Sequence, residues 1–195
     1  MSLDAEEQAR ADFYGVLGRL FYAPPDAALL AALAQAGPLA GDDPGAPLAL
    51  AWNALRKAAA GADADAVRDE FEAVFVGTGK AEVTPYTSAY TVKSAVDNPL
   101  VDIRDFMARH GIARRADAFE PEDHVAALCD VMRFLIVESR APLDEQRRFF
   151  EAFLGGGALL LCDAIDRSQR TVFYRKVAGV ARAFLEVEHA ALDMK

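Results

Sequence analysis

Glu120-Pro121-Glu122-Asp123-His124 places three carboxylates and an imidazole within five residues. Groups of these types can hold a metal, relay a proton or pair with a cation, depending on what faces them. As a helix start the run is also ordinary: proline suits the first helical position, and acids in the first turn suit the free N–H groups and the dipole. His124 falls outside that explanation, because a cation is badly placed at the positive end of a helix. A second run, Pro85-Tyr86-Thr87-Ser88-Ala89-Tyr90, offers hydroxyls and two flat aromatic faces. Such a run can be a loop packing two tyrosines onto the body, but tyrosine is also a preferred contact residue in grooves.

Neither run makes an enzyme motif. Gly77-Thr78-Gly79-Lys80 looks like the end of a phosphate-binding loop, yet the first glycine of G-x-x-x-x-G-K-[ST] would fall at Val74, and Ala81 stands where the magnesium-binding hydroxyl belongs. His110, His124 and His189 form no metal-binding pair; His110 precedes a helix-stopping glycine and His189 ends a helix, both ordinary cationic positions. The serines lack a nucleophile-elbow context. Cys129 and Cys162 lie on apolar helical stripes and read as buried free thiols in a reducing compartment. The sequence therefore predicts no catalytic residue, no cofactor and no metal.

The elements that must position these runs are helical nearly throughout. Ala9, Phe13, Val16, Leu17 and Leu20 recur at helical steps, and Pro24-Pro25 stops that helix. Asp26 caps a second helix to about Ala36, a third covers Pro47–Ala60, and Asp63 caps a fourth with Ala64, Val67, Phe71 and Val74 on its apolar face. Helix resumes near Thr87 or Ser88. It recurs over Pro99–His110, with Gly111 as left-handed stop, and over Pro121–Ser139 and Pro142–Leu154. Gly155-Gly156-Gly157 reads as a break before Ala158–Arg167. The last helix spans about Gln169–His189, with Phe173, Val177, Val180, Phe184 and Val187 on one seam. No paired alternating runs announce a sheet. The expectation is an all-α fold, one domain over 1–195 with about eight or nine helices. Breaker-rich loops fall near 37–47, 77–87, 111–120 and 140–142.

Composition sets limits on partners. The 195 residues carry a net charge of −9. That acidity disfavours nucleic acid and anionic membrane surfaces, and it suits a basic partner. The first residues, MSLDAEEQARADF, are charged where a signal peptide is apolar, and no run approaches a membrane span. The expected location is the cytoplasm, without membrane insertion.

Taken together, the two blocks resemble the TorD/DmsD family of chaperones that mature molybdenum-cofactor oxidoreductases. The family's first signature is matched by Glu70-Phe71, then Phe75-Val76-Gly77-Thr78-Gly79-Lys80, then Pro85–Tyr90; the second by Glu120–His124 and the helix after it. Phe173-Tyr174-Arg175 is a looser third match. Val83-Thr84 replaces a more proline-rich approach, and Tyr86 and Tyr90 stand where some members have tryptophan. The resemblance implies a TorD-like helical fold, monomeric or a helix-swapped dimer. It implies binding of the twin-arginine signal peptide, and the folded body, of a molybdopterin-containing oxidoreductase precursor, so that export waits for cofactor insertion. It also implies a signal-peptide site of Phe75, Tyr86, Ser88, Tyr90, Glu120, Pro121, Asp123 and His124. In that site Tyr86 and Tyr90 take the apolar stretch, Asp123 takes an arginine, and His124 orients the peptide or the Asp123 carboxylate. Carboxylates suit guanidinium because the contact is directional and bidentate. Two other readings stand beside this one: a helical guanine-nucleotide-binding protein and a regulator with a small ligand in its core.

Overall fold

Side-chain caps and prolines decide where the helices begin. The computed structural model describes residues 3–39, 43–77, 79–92, 94, 97–114 and 119–194. Asp4 opens α1 (Ala5–Tyr22) by accepting from the Glu7 N–H at 2.7 Å. Asp26 opens α2 (Ala27–Gln35) in the same way from Leu29 at 2.8 Å. α3 (Pro47–Ala60) starts on proline, and Asp63 opens α4 (Ala64–Phe71). Each cap satisfies an N–H that the helix leaves without a partner. α5 (Ser88–Thr91) is a single turn, and α6 (Pro99–Arg109) again starts on proline and ends before Gly111 at φ +67°. α7 (Val125–Val137), α8 (Leu143–Phe149), α9 (Gly155–Arg167) and α10 (Phe173–Asp193) complete the chain.

Two five-residue π turns change this outline. Glu72–Val76 extends α4, and Phe150–Leu154 joins α8 to α9. With joined segments counted once, nine helical rods and no strand are found among the described residues, in agreement with the all-α expectation. The expected break at Gly155-Gly156-Gly157 is absent. The rod runs through these glycines, and two of the three have their bare faces occupied: a Cβ on Gly155 would lie 2.6 Å from the Phe150 ring, and one on Gly157 would lie 2.5 Å from Thr87 Cβ. The expected loops are described except at residues 40–42, 78 and 115–118, which lie outside the described residues.

One apolar cluster draws on helices from α1 to α10. The expected stripe of Val125, Cys129, Met132 and Ile136 is buried, as are Val67, Phe71 and Val74 on α4 and its extension. Both thiols are buried beside the same small internal void, and burial pushes the Cys162 pKa up to about 12. The seam of α10 needs a correction at its end. Val187 is 52% exposed, and its neighbour Glu188 is buried instead. Glu188 accepts from Arg10 Nε at 2.7 Å and Tyr14 Oη at 2.9 Å, while Gln146 accepts from Arg10 Nη2 at 2.8 Å. This closed acid–base cluster ties α1, α8 and α10 together without leaving the buried charge unpaired.

Glu70 supplies the other long-range tie. Its carboxylate accepts from the N–H groups of Val172, Phe173 and Tyr174 at 2.9, 3.0 and 2.7 Å, so α4 caps the start of α10. A negative group at a helix N-terminus also meets the dipole favourably. Glu70→Ala is expected to destabilise the fold by about 1–2 kcal/mol, the usual scale for a lost N-cap, and Glu70→Gln by less, because one acceptor oxygen remains. Thermal unfolding followed by circular dichroism checks the order; equal melting temperatures for Glu70→Ala and the native chain would remove the cap from this account.

Candidate functional site

The Pro85–Tyr90 and Glu120–His124 segments meet through their backbones. The Thr87 N–H donates to the Asp123 carbonyl and the Val125 N–H to the Pro85 carbonyl, both at 2.9 Å, so Tyr86 and His124 sit opposite each other in a short antiparallel pair. The Thr87 hydroxyl adds a bond to the same Asp123 carbonyl at 3.2 Å. Segments this irregular can be buried only if such donors and acceptors find each other. Gly77, at φ +64°, turns the chain between the two halves of the first signature: a Cβ there would lie 2.3 Å from the Lys80 carbonyl oxygen. Val83 N–H then bonds back to the Val74 carbonyl at 2.9 Å. The glycine serves a turn that follows a helix, in place of the strand that a phosphate loop would follow; Thr78 of GTGK lies outside the described residues.

Side chains complete the junction. Tyr86 Oη donates to Glu120 Oε2 at 2.6 Å, and Ser88 Oγ donates to Asp123 Oδ2. Burial, then the Glu120 carboxylate, push the Tyr86 phenol up to about 12. Asp123 is 4% exposed, and its Oδ1 is buried without a hydrogen-bond partner. Glu122 accepts from Arg104 Nη2 on α6 at 2.9 Å. That bond is the main reason its carboxyl sits below the usual range, with the charges of Arg104 and Arg114 adding to it.

His124 has a task that the sequence did not reveal. Helix α7 starts at Val125, with Pro121 in the turn before it and not at the first helical position. His124 is the N-cap: its Nδ1 accepts from the Ala126 N–H at 3.1 Å, and its ring meets Tyr86 edge to face with centroids 5.4 Å apart. Only a neutral imidazole can accept there, and burial pushes its pKa down despite Glu120 and Asp123. A neutral histidine thus resolves the misfit of a cation at this helix end.

The structure therefore brings Tyr86, Ser88, Glu120, Pro121, Asp123 and His124 into one junction. Tyr90 lies at its edge, its hydroxyl donating to the Thr84 carbonyl at 2.8 Å. Phe75 goes elsewhere: it is buried among Phe21, Phe71 and Tyr174, with centroids 5.0–6.3 Å away. Beside the junction runs a groove of about 340 Å³. Met107, Ile112, Val131 and Phe134 line it with apolar surface, and Glu120, Glu122 and Asp130 add carboxylates. Phe119, next to Glu120, is 88% exposed. The apolar groove residues were not singled out from the sequence, since apolar positions on a helix carry no mark that separates wall from core. Among the described residues no group of acidic, histidine and cysteine side chains is clustered to hold a metal ion, and no helix is long and apolar enough to cross a membrane.

Comparison with known proteins adds a family. The family model described as the nitrate reductase delta subunit matches residues 42–156. The chaperone protein TorD of Photobacterium profundum is 37% identical over 81 residues, which cover 40% of this chain and 38% of that protein. TorD of Aliivibrio fischeri is 29% identical over 133 residues, covering 61% and 60%. A Haemophilus influenzae protein named as the Tat proofreading chaperone DmsD is 25% identical over 114 residues, covering 57% and 55%. The chain thus spans less than two thirds of the length of these curated relatives. A solved redox enzyme maturation protein from Archaeoglobus fulgidus superposes with a TM-score of 0.56 over 95% of this chain and 96% of that one, at 16% identity, a likeness of fold.

Two outcomes follow from the junction. Because burial lowers the folded pKa of His124, its contribution to stability is present above the unfolded value of about 6.5 and is lost as pH falls through the folded value. His124→Asn keeps a capping acceptor that does not titrate, so its melting temperature should fall less than that of the native chain between pH 7 and pH 5; parallel curves would refute the neutral cap. Gly157→Ala should push Thr87 away and speed amide exchange at Thr87 and Val125. Gly156→Ala, which meets nothing within 4 Å, should leave both unchanged. Equal protection in the two variants would mean that α9 does not seat this turn.

Proposed function

This chain belongs to the nitrate reductase delta subunit family, which takes in the TorD and DmsD chaperones, and we propose that it is a cytoplasmic chaperone for the maturation of a molybdopterin-containing oxidoreductase. In this reading it binds the twin-arginine signal peptide of the precursor, and its folded body, and delays export until the cofactor is in place. The observation that carries the reading is the groove beside the two-segment junction, where carboxylates meet apolar walls. A twin-arginine leader has the matching order of parts, a basic front and an apolar run of about 7–15 residues behind it.

The residues divide the work by exposure. Glu120 and Glu122 line the groove and take the guanidinium groups, to which carboxylates bond bidentately. Asp123, 4% exposed and tied to Ser88, holds the turn that presents them. Tyr86 fixes Glu120 through its hydroxyl, and Phe119 with Met107, Ile112, Val131 and Phe134 receives the apolar run. Tyr90 closes the edge, and Phe75 supports from the core. No step of this function breaks or makes a covalent bond in the client.

The test is calorimetric titration with synthetic leaders from twin-arginine-exported molybdopterin oxidoreductases of the source genome. Glu120→Gln should weaken binding about tenfold or more, the scale of one charge-assisted hydrogen bond, with helix content unchanged by circular dichroism. Replacing the arginine pair of the leader by glutamines should cost at least as much in the native chain. Failure of the native chain to bind any of these leaders, or equal affinity in Glu120→Gln, would sink the reading.

A further inference from the structure

Of the two carboxylates on the groove that face the junction, one is already engaged by a guanidinium. The Glu122 side chain is 8% exposed, lines the groove and is held at 2.9 Å by Arg104, whose own side chain is 52% exposed. The asymmetry of that pair is informative. A carboxylate this far from water is costly to leave without a cation, whereas an exposed arginine on a helix surface loses little by swinging back into solvent. Arg104 does not line the groove; it reaches Glu122 from α6, while the groove offers the same carboxylate to a ligand. Arg114 is part of the groove wall, and its charge also favours the ionised form of Glu122.

We propose that Arg104 is a built-in competitor that occupies Glu122 until a guanidinium of the client displaces it, and so limits the affinity of the groove. The inference rests on the signal-peptide reading given above. Exchange of one guanidinium for another leaves the charge at Glu122 balanced before and after binding. It also sets a threshold: a ligand gains at Glu122 only the difference between its own contact and that of Arg104. Lysine, a compact and strongly hydrated cation with no planar fork, matches the displaced group poorly. An arginine-bearing leader is therefore favoured over a lysine-bearing one, and the bound leader remains displaceable, as a chaperone that must release its client for export requires.

The sign of one substitution tests this. A residue that helped to bind the leader would weaken binding when removed, but a competitor strengthens it. Arg104→Gln should tighten binding of the same synthetic leader about two- to fivefold, the range expected for an ion pair with one exposed partner. The gain should vanish in the Glu122→Gln background, as a double-mutant cycle reads directly. Arg109→Gln, on the same helix but without a contact to Glu122, controls for the general loss of positive charge and should change affinity much less. The ratio of arginine-leader to lysine-leader affinity should stay the same in Arg104→Gln, because both leaders displace the same group and its cost cancels in their difference. Unchanged or weaker binding in Arg104→Gln, or a gain that survives Glu122→Gln, overturns the proposal while leaving the peptide site in place. Absence of leader binding by the native chain removes both.

Discussion

Two backbone hydrogen bonds, Thr87 to Asp123 and Val125 to Pro85, join segments that are far apart in sequence and irregular in conformation. Neither segment could bury its peptide groups alone without leaving donors and acceptors unmet. Their pairing fixes Tyr86 opposite His124 and, as a result, aims the phenol at Glu120 and the Ser88 hydroxyl at Asp123. The capping of α7 by His124 belongs to the same constraint, because the imidazole must stay neutral to accept from Ala126. The main-chain bonds thus fix the turn that carries Glu120 and Glu122, and side-chain bonds from Tyr86 and Arg104 then orient the two carboxylates.

That frame is anchored at longer range by charged groups placed inside the helical body. Glu70 lends a carboxylate to three N–H groups at the start of α10. Glu188, near the other end of the same helix, closes a cluster with Arg10, Tyr14 and Gln146. The rod formed by α8, the π turn and α9 carries Gln146 in its first part and Gly157 in its last, so one element touches both the buried acid–base cluster and the seat of Thr87.

The helices could be read from the sequence because period, caps and breakers agree with each other. Pro47–Ala60 is found at its expected bounds, Asp26 and Asp63 cap as their positions suggest, and Gly111 takes the left-handed conformation. Tertiary contact overrode local preference elsewhere. Three consecutive glycines weaken an isolated helix by about 1 kcal/mol each relative to alanine, yet α9 starts on them, since the Phe150 ring and Thr87 need the space. A period count gave the α10 seam to Val187 and passed over Glu188, because nothing in one helix tells that an arginine from another will meet it. The meeting of the two signature blocks came from the family resemblance. Backbone-to-backbone bonds leave no trace in side-chain identity, so spacing could not have shown it. Phe75 illustrates the limit of a motif: it stands within the signature, but its ring completes the core.

Both sulfur atoms of the cysteines lie beside one small void deep among α1, α7, α9 and α10, and burial holds each thiol protonated. Nucleophilic attack, oxidation to sulfenic acid and capture of soft metal ions all require an accessible thiolate. In the proposed role this protein works beside redox-active cargo, and neither thiol lines the groove that receives it. Its own surface therefore offers electrophiles and oxidants no cysteine to consume.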